Sequence, residues 1–160
     1  MSVRANLSQK LLTVWNGEPW YGSSSSTILA GVTAAEALAH PLPGAQSIWE
    51  TLLHITAWTE ETTSRMNGGE SKQPARGDWP PVTGSTQEDW MAAQAELLAA
   101  RKALLESIEK AHEESLFLQV PKAGGAGATR AHTVNGLADH DVYHLGQIAL
   151  LKKSLKARPA

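Results

Sequence analysis

Two imidazoles four residues apart, His140 and His144, lie inside the apolar run TVNGLADHDVYHLGQIALL. At that spacing both rings stand on one face of a helix, one above the other, where their nitrogens can converge on one metal ion. A lone histidine on an apolar face is ordinarily structural, bonded to a neighbouring group. Two on one stripe would bury two polar rings, each costing about 1–3 kcal/mol if it finds no partner. A shared ion satisfies both at once. The string His140-Asp141-Val142-Tyr143-His144 also has the outline of the H-E-x-x-H of zinc proteases, with aspartate in place of glutamate. No histidine, aspartate or glutamate follows His144, so a third ligand must come from upstream and the protease reading fails.

Upstream, His54 lies in the middle of SIWETLLHITAWTEE, at the margin of an apolar arc formed by Thr51, Ile55 and Trp58. Three neutral imidazoles from two facing helices would leave coordination positions open, as catalytic metal sites do. Zinc, nickel and ferrous iron all suit such nitrogen ligands. Asp141 could orient a ligating ring through its second nitrogen, and Glu50, one turn before His54, is a weaker candidate for the same role because it also fits a helix cap. Trp58 is expected to wall a pocket, and Tyr143 and Gln147 are placed to meet a substrate or to fill the space between helices. No residue is assigned as the catalytic acid or base. His40, His112 and His132 read as surface or capping residues, with lining of the site a lesser reading for His132. The competing readings are a purely structural ion that ties two helices together and histidines that bind no metal.

Helices must position these groups. Val3, Leu7, Leu11 and Val14 recur at helical spacing and stop at Asn16-Gly17-Glu18-Pro19. The stretch from Trp20 to Gly44 reads as a long connection with short helical turns, including a capping box at Thr33 and Glu36. Ser47 and Glu50 open a second long helix that runs to Met66, before Gly68-Gly69. Ser85 and Glu88 open a third, with a stripe of Trp90, Ala93, Leu97, Leu104, Ile108 and Ala111. Glu113 to Thr129 reads as a loop in which SLFLQVP is β-prone and KAGGAGAT is small and flexible. The fourth helix carries Leu137, His140, His144, Ile148, Leu151 and Leu155 and ends in lysines that suit its C-terminal dipole. The pattern predicts an all-α four-helix bundle with a long connection between the first two helices, in a single domain over 1–160.

Composition narrows the chemistry further. The 160 residues suffice to bury roughly two-thirds of the unfolded surface. There is no cysteine, so thiolate ligands, cysteine nucleophiles and disulfides are excluded within the chain. With 14 Lys plus Arg against 16 Asp plus Glu and net charge −2, nucleic acid is not an expected partner. No apolar run approaches the ~18 residues of a membrane helix, and no signal-peptide pattern opens the chain. A cytoplasmic protein without membrane attachment is expected. The glycines of 122–129 lack the G-x-x-x-x-G-K-[ST] pattern of a phosphate loop, and no G-x-S-x-G occurs.

The stretches NGEPWYG, PLPGAQSIWETLLHITAW, the DWPP loop and HDVYHLGQIALLKK together resemble the DinB/YfiT-like family of metal-dependent proteins, over nearly the whole chain. That resemblance implies a four-helix bundle, often a homodimer, in which the residues matching His54, His140 and His144 bind a divalent metal. It also implies, for some relatives, activation of a low-molecular-weight thiol in S-transfer or isomerisation. Hydrolysis through an activated water is the second enzymatic expectation. A non-enzymatic metal-binding protein of stress response or interaction is the alternative. The family name refers to a DNA-damage-inducible gene and implies no DNA binding.

Overall fold

The computed structural model describes residues 2–156. Its order is α1 (Val3–Asn16), α2 (Ser25–Leu29), α3 (Ala34–Leu38), α4 (Ile48–Met66), α5 (Gln87–Lys110), a 3-10 turn (Glu113–Phe117), β1 (Gln119–Lys122), β2 (Gly125–Thr129) and α6 (Arg130–Lys156). The long helices α1, α4, α5 and α6 make an all-α helical bundle, with α2 and α3 riding in the connection before α4. One hydrophobic cluster draws on all four, including Leu11, Trp15, Leu52, Trp90, Leu104 and Ile148.

Local chemistry accounts for most boundaries. Capping boxes at Thr33/Glu36 and Ser47/Glu50 open α3 and α4, each closing two otherwise orphaned N–H groups. The cap expected at Ser85 and Glu88 instead forms one residue later, from Thr86 and Asp89. There the Asp89 carboxylate accepts from both the Ser85 and Thr86 N–H groups, a double contact that favours the shifted start. Ala111, expected on the α5 stripe, caps that helix and is half-buried.

Between α5 and α6 the structure departs from the expected loop. A 3-10 turn leads into an antiparallel hairpin pairing Gln119 with Thr129 and Lys122 with Gly125. Only Val120 of β1 is buried, so no alternating pattern marks that strand. The pairing of β1 with β2 depends on main chain and glycine: a Cβ at Gly127 would lie 2.8 Å from the Val120 carbonyl oxygen. The hairpin delivers Thr129 as the start of α6, where its hydroxyl accepts from the His132 N–H. α6 therefore begins three residues before Thr133, and His132 falls within its first turn.

α6 buries two lines of side chains. Val134, Ala138, Asp141 and Leu145 enter the core, while Leu137, His144 and Leu151 lie on the adjoining line. His140 stands at the margin, its side chain 28 % exposed. The two histidines thus face α4 and a cavity, and Asp141 faces the core.

Candidate metal centre

α4 supplies His54 and α6 supplies His140 and His144. One ring nitrogen from each of the three lies within 4.8 Å of the others, and His54 and His144 are buried. The Nε2 atoms of His54 and His140 are 2.9 Å apart. A tetrahedral zinc with Zn–N near 2.0–2.1 Å sets its ligand nitrogens ~3.3 Å apart, so these rings are already at the scale of a shared ion.

The outer ring nitrogens fix which atom faces inward. His54 Nδ1–H donates to the Asp78 carbonyl oxygen at 2.6 Å, and His144 Nδ1–H donates to Gln147 Oε1 at 2.6 Å. Each bond holds the tautomer whose Nε2 lone pair points into the cluster. Two lone pairs at 2.9 Å repel unless a cation or a proton lies between them. His140 Nδ1 has no partner among the described residues, and neither has Asp141 Oδ1; the two are 3.9 Å apart, beyond hydrogen-bond range. The tautomer that offers His140 Nε2 to a metal gives Nδ1 a proton directed at that side. The donor set, the tautomer locks and the paired orphans fit a divalent ion.

Electrostatics agree with neutral ligands. Desolvation, the neighbouring His140 and the more distant His54 push His144 down to about 4, against the opposing bond to Gln147. Desolvation also lowers His54, with the Asp78 carbonyl opposing it. At neutral pH both rings hold their lone pairs ready. Because the folded values lie below the unfolded 6.5, the unfolded chain binds protons first. Metal-free protein is expected to keep its full stability above pH 6.5 and to lose it progressively as pH falls towards 4, with His144→Ala flattening the profile. Thermal melts across this window check the result, and equal slopes in both proteins would contradict it.

The surrounding residues divide by role. Trp79 stacks on His54 with centroids 3.9 Å apart and planes 12° from parallel. Trp58 donates from Nε1 to Asp78 Oδ1 at 2.8 Å, so the Asp78-Trp79 strap is tied to α4 twice. Trp58 and Gln147 do line the cavity, and exposed Tyr143 stands edge-on to His144 with its hydroxyl accepting from Gln147. Gln147 therefore fixes the His144 ring as well as bordering the cavity. Glu50 is placed elsewhere: its carboxylate accepts from the Ser47 N–H and meets His40 Nε2 at 2.9 Å. Asp141 is fully buried and accepts from Trp15 Nε1 at 2.7 Å and Arg101 Nη2 at 3.5 Å, which turns its bonded oxygen towards α1 and α5. His112 is exposed just beyond α5, and His132, exposed, lines the cavity.

Asp78, Trp79 and Arg65 line the cavity without having been expected there, and His132 takes the lesser of its two expected roles. The DWPP motif was the available signal for the first two. The cavity over the histidines has a volume of about 630 Å³ and is walled by Trp58, Trp79 and Leu137 among others. No described helix is long and apolar enough to cross a membrane.

A family model for the DinB superfamily matches residues 23–148, a span that holds all three histidines and the DWPP strap. No curated protein and no solved structure matches the chain.

Proposed function

The chain belongs to the DinB superfamily, and from that premise we propose a divalent-metal protein whose ligands are His54, His140 and His144. The observation that carries it is the convergence of three imidazole nitrogens with two outer nitrogens already locked by Asp78 and Gln147. Zinc, nickel and ferrous iron are the candidate ions. Bound there, such an ion supplies Lewis acidity, making a thiol or a water nucleophilic near neutral pH.

The chain's own residues do the rest. Trp58 and Trp79 wall the approach to the imidazoles, and Trp79 covers one face of His54. Gln147 and the Asp78 carbonyl prevent the rings from turning. The chain has no cysteine, so a sulfur nucleophile must arrive with the substrate. We place S-transfer or isomerisation with a low-molecular-weight thiol first and hydrolysis second. A cytoplasmic homodimer belongs to the same reading, and the fully exposed Trp20 beside Tyr21 supports its dimeric half.

The second reading is a non-enzymatic metal-binding protein of stress response or interaction, favoured by the placement of the ligands on two different helices. Chelation separates the two: an ion that only ties α4 to α6 should melt the bundle when removed, whereas a catalytic ion should leave it folded and inactive. For the enzymatic reading, tag-free protein supplied separately with zinc, nickel and iron is expected to retain about one equivalent of at least one of them. The loaded protein is then expected to turn over an electrophilic acceptor with glutathione, bacillithiol or mycothiol. Failure with all three thiols would move the assignment to hydrolysis or to the non-enzymatic role.

A further inference from the structure

The cavity continues well past the imidazoles. Along α4 its wall runs from His54 through Trp58 and Thr62 to Arg65, and along α6 it runs back from His144 through Gly136 to His132. The two helices are antiparallel here, since the end of α4 meets the start of α6: a Cβ at Gly68 would lie 3.7 Å from Arg130 Nη2. Eleven residues of helix separate His54 from Arg65, roughly 16 Å of axial rise. The Arg65 side chain shortens that distance by folding over the Trp58 ring, with Cζ 5.5 Å from its centre. The same ring centre is 6.4 Å from His54 and 6.3 Å from His140, so guanidinium and imidazoles are no more than about 12 Å apart.

Arg65 is held as a rigid fork. Nε donates to the buried Glu61 at 3.0 Å, and Nη2 donates to the Lys72 carbonyl at 2.8 Å. Among the described residues Nη1 has no hydrogen-bond partner. Glu61 cancels the long-range charge, so what Arg65 offers the cavity is directed N–H groups. His132 adds a second donor on the opposite wall, in the first turn of a 27-residue helix whose dipole favours negative charge. Between the two ends lies Gly136, in a helix interior where glycine is less favourable than alanine. A Cβ there would meet nothing within 4 Å, so no packing demands the glycine; what it leaves is room in the groove.

Resting on the metal-centre reading above, we propose that the cavity is two-ended: the imidazole end takes the reacting donor atom, and Arg65 with His132 takes the carboxylate of an elongated small-molecule substrate. The specificity of this chain is then for anionic ligands long enough to bridge both ends, with Gly136 keeping the path open.

Simple ω-mercaptoalkanoic acids measure this span. Calorimetric titration of zinc-loaded protein with 8-mercaptooctanoate and its methyl ester is expected to favour the acid by about tenfold, the worth of one charge-assisted contact. The acid and ester of 3-mercaptopropanoate, too short to bridge, should bind alike. Arg65→Gln should remove the preference for the long acid while leaving ester affinity and zinc content unchanged. If that variant fails to fold, Arg65→Lys keeps the pairing with Glu61 and should still lose most of the preference. Gly136→Leu should exclude both long compounds and admit the short ones. A long acid that binds no better than its ester, or a preference that survives loss of the Arg65 fork, overturns the proposal. Failure of the metal reading shows separately: wild-type protein that takes up no ion removes the premise, and the proposal falls with it.

Discussion

Protein carrying His144→Ala is expected to retain less than about a tenth of an equivalent of metal under conditions where the wild type holds a full one. Loss of an outer-shell partner alone costs 10–100-fold in affinity, so loss of one of three imidazole ligands should cost more than about a hundredfold. The geometry predicts a graded series. Gln147→Ala, which removes only the acceptor at 2.6 Å from His144 Nδ1, should fall between His144→Ala and wild type. On the enzymatic reading, turnover should follow metal content through the series. The fold should survive, because His144 stands where α6 borders a cavity and its truncation removes a ring that resists protonation. Circular dichroism of the metal-free variant, set beside its metal content, checks both halves. A His144→Ala protein that binds its ion at wild-type affinity would remove His144 from the ligand set.

Asp141→Ala is expected to cost the bundle about 3–5 kcal/mol, the usual result of leaving a buried partner charge uncompensated. Asp141 is fully buried, and Arg101, its guanidinium partner among the described residues, is 5 % exposed. Arg101 also stacks over Trp15 at 4.9 Å and reaches Ser25 at 3.0 Å. Desolvation already pulls its guanidinium below the ordinary arginine value, with Asp141 supplying the opposing support. The pair is joined by one long contact, and Arg101 Nε and Asp141 Oδ1 have no partner among the described residues. Such a pair adds little stability over an apolar replacement, yet breaking it is severe. Urea unfolding should therefore rank Asp141→Ala well below the double variant Arg101→Met/Asp141→Leu. A loss under about 1 kcal/mol for Asp141→Ala would show that Arg101 finds water when its partner is gone.

The helices and the histidine trio were legible because their signals are local. Ser47 and Glu50 announce α4, and the four-residue spacing of His140 and His144 places them on one face whatever packs against it. The shifted cap at Thr86 shows the limit: Ser85 and Thr86 both head a capping pattern, and the choice is made by an aspartate that can accept from two N–H groups together. The hairpin was hidden because glycine and backbone make it. Asp141 was placed on the correct helix, but its direction was undecidable from sequence, since its partners Trp15 and Arg101 lie 126 and 40 residues away. Asp78 escaped notice for another reason. It steadies His54 through its main-chain carbonyl, an atom every residue has.

The three proposed ligands divide unevenly between the folded and the unfolded chain. His140 and His144 need only a turn of helix to converge, so even a denatured chain can grip an ion with two nitrogens. His54 joins them only when α4 docks on α6, and it is held there by the Asp78 carbonyl. An ion therefore stabilises the native state by the difference between three held ligands and two loose ones, and not by its whole binding energy. Denaturation midpoints should rise with free metal concentration by less than native affinity alone would give.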